Sequence, residues 1–469
     1  MNRLMHRRTF VGAGLSMVAR QVHLSRNRHR VVTGDPELRL VLRGGRIFQG
    51  GEWKTGEVGV DRTGRLRFGE GLRAQETLDL AGHVISPGFI DILADNSSRP
   101  EQTFPIFEKY KLTDGVTTAL QMHGGSADCR AYYARLGRFP HGIHYGVSTF
   151  VMAIRNRVER PRDRLRLVER NLDEGALGVS HSLEYQPTPY EEVLEYAKLA
   201  HRYDRPLFLH LRYSSRDTEL DGIDEAIRLA QESSARVHIA HLHSTGGTYR
   251  MEAALEKIRK GIAQGLSLTT CVYPYSYWAT YLSSRRFDRG WQERYGLTYA
   301  DLRVVGTGEH LTPSSFERYR KTGVLVAVPE GTMPLDRTFD LAVREDFCMV
   351  GSDGGIQSEP RPNSHPRGAG CFSTAIRRAS DLGMPLETIL SKLTALPRSV
   401  VQPALRERGV LEEGAWADLT VFDPLTIRGN ATLEQPNRVA SGIALVLVDG
   451  KPAYQGGKLL ARNGTAIRC

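Results

Sequence analysis

An apolar run, Phe347-Cys-Met-Val, stops abruptly at Gly351-Ser-Asp-Gly-Gly355. Such a run marks a strand buried on both faces. Its tip presents one carboxylate, Asp353, between glycines that let the backbone turn and a ligand come close. Further strand candidates lie at 115–120, 144–151, 178–180, 206–210, 237–241, 268–272, 324–328 and 348–351. Amphipathic helical stretches, such as 190–203 and 221–233, separate them. Helices between buried strands make parallel βα units. Eight of them predict an α/β fold, a (β/α)8 barrel rather than an open doubly wound sheet.

At 469 residues the chain exceeds one ordinary domain. Short strands punctuated by Gly and charged turns occupy 37–85, and similar strands recur at 405–462. These ends predict one β-sandwich built from both, with a barrel over 86–404 inserted between them. A long, charged, irregular stretch at about 283–337 reads as an excursion able to cover the top of the barrel. Residues 1–36 form a basic leader. Arg7-Arg8-Thr9-Phe10-Val11 resembles a twin-arginine export signal, but the apolar stretch after it is short and Arg20 follows directly. The balance slightly favours a cytoplasmic location over export.

Hydrophobic residues make up 40% and charged residues 25%, as in an ordinary soluble globular protein. The net charge of +10 comes without aromatic-interleaved basic motifs or zinc-finger spacing. It therefore reads as solvated surface around a small-molecule site, and no nucleic-acid partner is expected. The five cysteines are odd in number and form no CxxC, so buried thiols are expected rather than disulfides. No apolar run reaches membrane-spanning length. The oligomeric state is left open.

His210 and His241 each close an apolar strand, where a barrel displays its catalytic groups. One histidine in that place more often merely ends a strand. Two at matching tips, followed by Asp353, point to a site that shares a divalent metal ion such as Zn²⁺. The third ligand is open between His123, Glu184 and Asp95, each just past a strand. His243 lies just beyond the His241 tip and is a candidate for the pocket wall. Arg212 follows His210 by two, and Arg367 lies in Ser364-His-Pro-Arg-Gly368; either can clamp a carboxylate bidentately. Tyr185, Tyr273 and Tyr275 sit at strand ends as candidate hydrogen-bond donors to a developing oxyanion.

Taken in order, several short stretches resemble the metal-dependent amidohydrolase superfamily, and within it the D-aminoacylase (N-acyl-D-amino-acid deacylase) group. They include Ser86-Pro-Gly-Phe-Ile-Asp91, Gly115-Val-Thr-Thr118, Leu183-Glu-Tyr-Gln-Pro187, His210-Leu-Arg212 and Ile239-Ala-His241. Val272-Tyr-Pro-Tyr275, Gly351-Ser-Asp-Gly354, His365-Pro-Arg367 and Val448-Asp-Gly450 continue the series. The resemblance covers about 38–462. It implies a barrel with a β-sandwich and hydrolysis of the amide of an N-acyl amino acid. It also implies that His210 and His241 are metal ligands, and that Asp353 takes a proton from the attacking water and passes it to the leaving amine. Tyr185, Tyr275 and Arg367 match pocket positions.

The departures from that pattern are equally specific. The two histidines that follow the family's PGFID are replaced by Leu93 and Asp95. The family's ligand cysteine after GVTT is Gly124, with His123 one residue earlier, and its lysine after the second histidine is His243. These changes favour a single ion over a binuclear centre. The expectation is thus a mononuclear amidohydrolase cleaving a C–N bond of an N-acyl amino acid or small peptide-like compound. The alternative is a metal-independent rearrangement, elimination or condensation on the same barrel, or a non-catalytic relative.

Overall fold

The structure, a computed structural model, describes residues 37–94, 100–329, 331–355 and 365–469. The leader and the candidate ligand Asp95 lie outside the described residues. Eight parallel strands form the central sheet: β1 (Phe89–Asp91), β2 (Val116–Ser126), β3 (His144–Phe150), β4 (Val179–Ser182), β5 (Leu207–His210), β6 (Val237–Ile239), β7 (Leu268–Val272) and β8 (Cys348–Val350). They lie side by side in chain order. A parallel bridge between Ala94 and Gly354 brings β8 back to β1 and closes the ring. This is the expected (β/α)8 barrel. Inside it, Ile90, Leu93, Met122, Phe208, Cys271 and Met349 meet in one apolar cluster.

One of the eight expected strands is not a barrel strand. Leu325–Ala327 pairs instead with Ala279–Tyr281 and Arg303–Val304 in a small antiparallel sheet. The vacant barrel position is taken by Phe89–Asp91. That strand is hidden in the sequence because it is three residues long and follows Ser86-Pro-Gly directly. The small sheet belongs to the excursion, which departs after Val272 and returns at Cys348, so it is longer than the irregular stretch at 283–337.

Both ends of the chain build the second module. Leu419–Phe422 runs antiparallel to Val84–Pro87 within a seven-stranded sheet. A four-stranded sheet containing Leu38–Arg43 packs on it through Leu42, Val58, Ile85, Val421 and Leu447. Beyond residue 462 the chain returns to the barrel. Ala466 bridges to Tyr145, and Ile467 is buried beside Val400 and Leu405. Among the described residues, no helix is long and apolar enough to cross a membrane.

The seam between β8 and β1 is held by a buried ion pair. Lys111 Nζ, from the helix Pro100–Thr113, lies 2.6 Å from Asp91 Oδ2 and 2.9 Å from Ser352 Oγ. Asp91 Oδ1 accepts from the backbone N–H groups of Leu93 and Ser352, each at 3.1 Å. Lys111 is 1% exposed and Asp91 fully buried. Removing one partner of such a pair leaves an uncompensated buried charge. Lys111→Met is expected to cost about 3–5 kcal/mol of stability, read as a lower midpoint in urea unfolding.

Candidate metal centre and active site

A parallel barrel delivers the tips of all its strands to one face, so residues distant in sequence converge there. His210 ends β5, His241 follows β6 by two residues, and His123 lies near the end of β2. Their ring nitrogens face one another. His123 Nε2 lies 3.3 Å from His210 Nδ1 and 3.3 Å from His241 Nε2, and the last two are 3.1 Å apart.

The partners on the far side of two rings decide which nitrogens carry protons. His210 Nε2 lies 3.0 Å from Glu184 Oε2. Burial alone would raise the Glu184 pKa, but Arg286 and His210 outweigh it and hold the carboxyl down at about 2. An ionised carboxylate only accepts, so His210 is protonated on Nε2 and turns the Nδ1 lone pair inward. His241 Nδ1 lies 2.9 Å from Ser244 Oγ, and that hydroxyl donates to the His241 carbonyl at 3.0 Å. The hydroxyl therefore accepts from Nδ1–H, leaving the Nε2 lone pair inward. Burial keeps all three rings neutral, pushing His123 down to about 4 and lowering His210 and His241.

His210 Nδ1 and His241 Nε2 thus turn two lone pairs toward His123 Nε2, and one cation shared by the three nitrogens would engage them all. Nitrogens about 2.0–2.1 Å from a tetrahedral ion stand about 3.3–3.4 Å apart, close to the distances seen here. The three histidines therefore fit a divalent metal. Leu93, at a position where the family places a histidine, is fully buried in the apolar barrel cluster. Elsewhere, His144, Asp418 and Asp449 also cluster, but the Arg408 guanidinium lies 2.8, 2.7 and 2.6 Å from them and supplies the positive charge.

Asp353 follows β8 and stands beside the cluster, its Oδ1 3.6 Å from His123 Nδ1. Arg367 grips it twice, with Nη2 2.7 Å from Oδ2 and Nε donating to the Asp353 carbonyl at 2.7 Å. Asp353 and His241 both adopt left-handed backbone conformations, with φ of 46° and 31°. For non-glycine residues these conformations cost of order 1–3 kcal/mol each, and they cluster at functional sites.

A cavity of about 490 Å³ opens over the histidines and is lined also by Asp353, Arg367, Tyr185 and Tyr273. The excursion supplies Trp278, Tyr281 and Arg286 to its wall. The Tyr185 hydroxyl pairs with Thr280 Oγ1 at 3.3 Å. Burial pushes the Tyr273 phenol up to about 12, so it stays a neutral donor, and the Arg367 guanidinium lies 4.5 Å from its ring centre.

The structure does not bring every candidate to this cavity. Of the candidate third ligands, His123 joins the cluster, and Glu184 stands behind His210 as its hydrogen-bond partner. Arg212 is turned away, with Nη2 2.6 Å from Glu225 Oε1 and 2.8 Å from the Thr188 carbonyl. His243 is buried behind Tyr273, ring centres 4.0 Å apart, and burial pushes it down to about 3. Tyr275 lines a neighbouring cavity of about 450 Å³ and packs edge-on to His365. Arg286 and Ser244 touch the site but carry no motif in the sequence that points to them.

A model of the amidohydrolase family matches residues 101–453. The chain belongs to the amidohydrolase family. This amidohydrolase is 26% identical to the N-acyl-D-glutamate deacylase of Alcaligenes xylosoxydans xylosoxydans, over 92% of this chain and 98% of that protein. It is 27% identical to the D-aminoacylase of the same organism, over 90% and 98%. The crystal structure of the N-acyl-D-glutamate deacylase from Bordetella bronchiseptica, complexed with zinc and a phosphonate mimic of the tetrahedral intermediate, superposes with a TM-score of 0.78. The two share 25% identity, over 92% of this chain and all of that one. The amidohydrolase is thus D-aminoacylase-like, a hydrolase by family and by fold.

Its buried neutral histidines carry a pH signature. Burial pushes His181 and His238, both in the barrel wall, down to about 3. The unfolded chain therefore binds more protons than the folded one once the pH falls below about 6.5, the ordinary histidine value. Their contribution is fully present above that pH and is lost progressively down to about 3. Between pH 6.5 and 5 each is expected to cost about 2 kcal/mol, at 1.36 kcal/mol per unit. Thermal unfolding across this window should show a falling Tm, and the fall should be smaller in His238→Gln.

Proposed function

We propose that this amidohydrolase cleaves the amide C–N bond of an N-acyl amino acid or small peptide-like compound, using one divalent ion and Asp353 as proton carrier. The observation that carries the reading is the convergence of three imidazoles, two of them oriented by Glu184 and Ser244, beside a carboxylate in a single cavity. His123, His210 and His241 would hold the ion. A zinc ion in such a site polarises a carbonyl and brings the pKa of water to near neutral. One ion rather than two is supported by the apolar packing of Leu93 and by the arginine filling the only other such cluster among the described residues.

The remaining work falls to side chains. Asp353 Oδ1 faces the histidines, and from there it would accept the proton of the attacking water and return it to the leaving nitrogen. Arg367 holds that carboxylate in place and borders the cavity, where its guanidinium can also meet a substrate carboxylate. The neutral phenols of Tyr273 and Tyr185 offer hydrogen bonds to a developing oxyanion. Phe150, Trp278 and Leu325 give the rest of the wall an apolar surface against acyl or side-chain groups. The relatives that act on N-acyl-D-glutamate and on other D-amino acid derivatives support the substrate class.

The test combines two measurements. Asp353→Asn is expected to lower turnover of N-acyl-D-amino acids by about 10²–10⁴-fold while metal content stays unchanged. Elemental analysis should find about one zinc, iron or manganese per chain, lost in His123→Ala and His210→Ala. Full activity after exhaustive chelation would overturn the reading and turn attention to metal-independent chemistry.

A further inference from the structure

We infer that Arg286 is a positioning residue that holds two of the three histidines in their ligating orientation, through Glu184 to His210 and through Ser244 to His241. The inference rests on the reading that these histidines bind an ion.

Arg286 belongs to the excursion, in the short turn Arg285–Phe287, and not to the barrel. Its side chain is 3% exposed. Its Nε and Nη2 donate to Glu184 Oε2 at 3.0 and 2.6 Å, and Nη2 also donates to the Ser244 carbonyl at 3.3 Å. The same Glu184 oxygen accepts from His210 Nε2 at 3.0 Å. The Ser244 hydroxyl, on the residue whose carbonyl Arg286 grips, meets His241 Nδ1 at 2.9 Å. One guanidinium thus touches the orienting partners of two imidazoles.

Geometry explains why the arginine matters. Glu184 Oε1 is engaged by Ser214 and, at 3.4 Å, by the Tyr295 hydroxyl. Its Oε2 meets only His210 and Arg286 among the described residues. Trp278 stacks on the guanidinium at 4.6 Å, fixing its plane. Without that planar fork, the carboxylate loses the contact that keeps Oε2 aimed at His210, and the imidazole loses its fixed tautomer and ring orientation. Partners that orient metal-binding histidines in this way typically contribute 10–100-fold to metal affinity. The excursion thus lines the cavity and also holds the histidines in place.

The experiment is zinc affinity by chelator competition, with the visible spectrum of the cobalt(II)-loaded protein as a second readout. Arg286→Met is expected to weaken zinc binding by about 10–100-fold and to alter the cobalt spectrum. Methionine leaves Glu184 buried without its counter-ion, so Glu184→Gln is measured alongside; it removes the charge and keeps the shape. The double variant should bind zinc no more weakly than Arg286→Met alone, because residues acting in one chain are not additive. Arg286→Lys, which keeps the charge but not the fork, should fail to restore affinity. Wild-type zinc affinity and cobalt spectrum in Arg286→Met, or in Glu184→Gln if the first does not fold, overturn the inference, even where the Tm drops. Additive losses in the double variant overturn it as well. A wild-type protein that binds no zinc removes the underlying reading instead, so the two failures are distinguishable.

Discussion

A barrel exists only if its last strand finds its first. Here both are three residues long, too short for ladder hydrogen bonds alone to secure the seam. Asp91 does it with its side chain, accepting from the backbone of its own strand end and from Ser352 across the gap, while Lys111 neutralises it from the helix outside. An ion pair this deep is costly to desolvate, and it is favourable only when every lone pair is used, as it is here. Ser352 immediately precedes Asp353. The contact that closes the ring therefore also fixes the backbone from which the Asp353 carboxylate projects. Fold and chemistry share one anchor.

The site obeys the same economy of charge. Each ionised group on or behind the cavity wall faces an opposite one: Arg286 with Glu184, Arg367 with Asp353. Burial drives the histidines neutral even so, His123 despite the Asp353 carboxylate 3.6 Å away. That division gives the centre its character. A neutral imidazole can offer its lone pair to a cation and a protonated one cannot, so burial leaves all three rings able to do so.

Much of this was legible in the sequence, and the rest was not, for definite reasons. The convergence of His210, His241 and Asp353 was readable because each ends an apolar run, and a parallel barrel brings its strand tips to one face. The side-chain alternation that put Arg212 on the same face as His210 holds only while the chain stays extended. β5 ends at His210, β7 ends at Val272, and His241 turns left-handed into the short helix Leu242–Ser244. Past those points the rule lapses. Arg212 turns to Glu225 on the next helix, and Tyr275 moves to another cavity. Arg286 left no signal at all, because its partner is 102 residues away and its own stretch is an irregular run of charges.

The departure from the family pattern has a physical reading as well. Leu93, which stands where the resemblance implies a histidine, fills that place with apolar atoms: it is fully buried, and a Cβ added at Gly351 would lie 3.0 Å from its own. Apolar packing therefore occupies that side of the barrel mouth. On the other side, His123 reaches the centre from a position one residue before the family's cysteine. Successive residues on a regular strand point to opposite faces, so a one-residue offset needs an irregular backbone. β2 has one: its register against β3 shifts between the pairs Val147–Gln121 and Thr149–Ser126, and Gly125 within it has φ of 111°. The bulge lets His123 point inward where regular pleating would present its neighbour. The irregular backbone of β2 thus brings a third imidazole to His210 and His241.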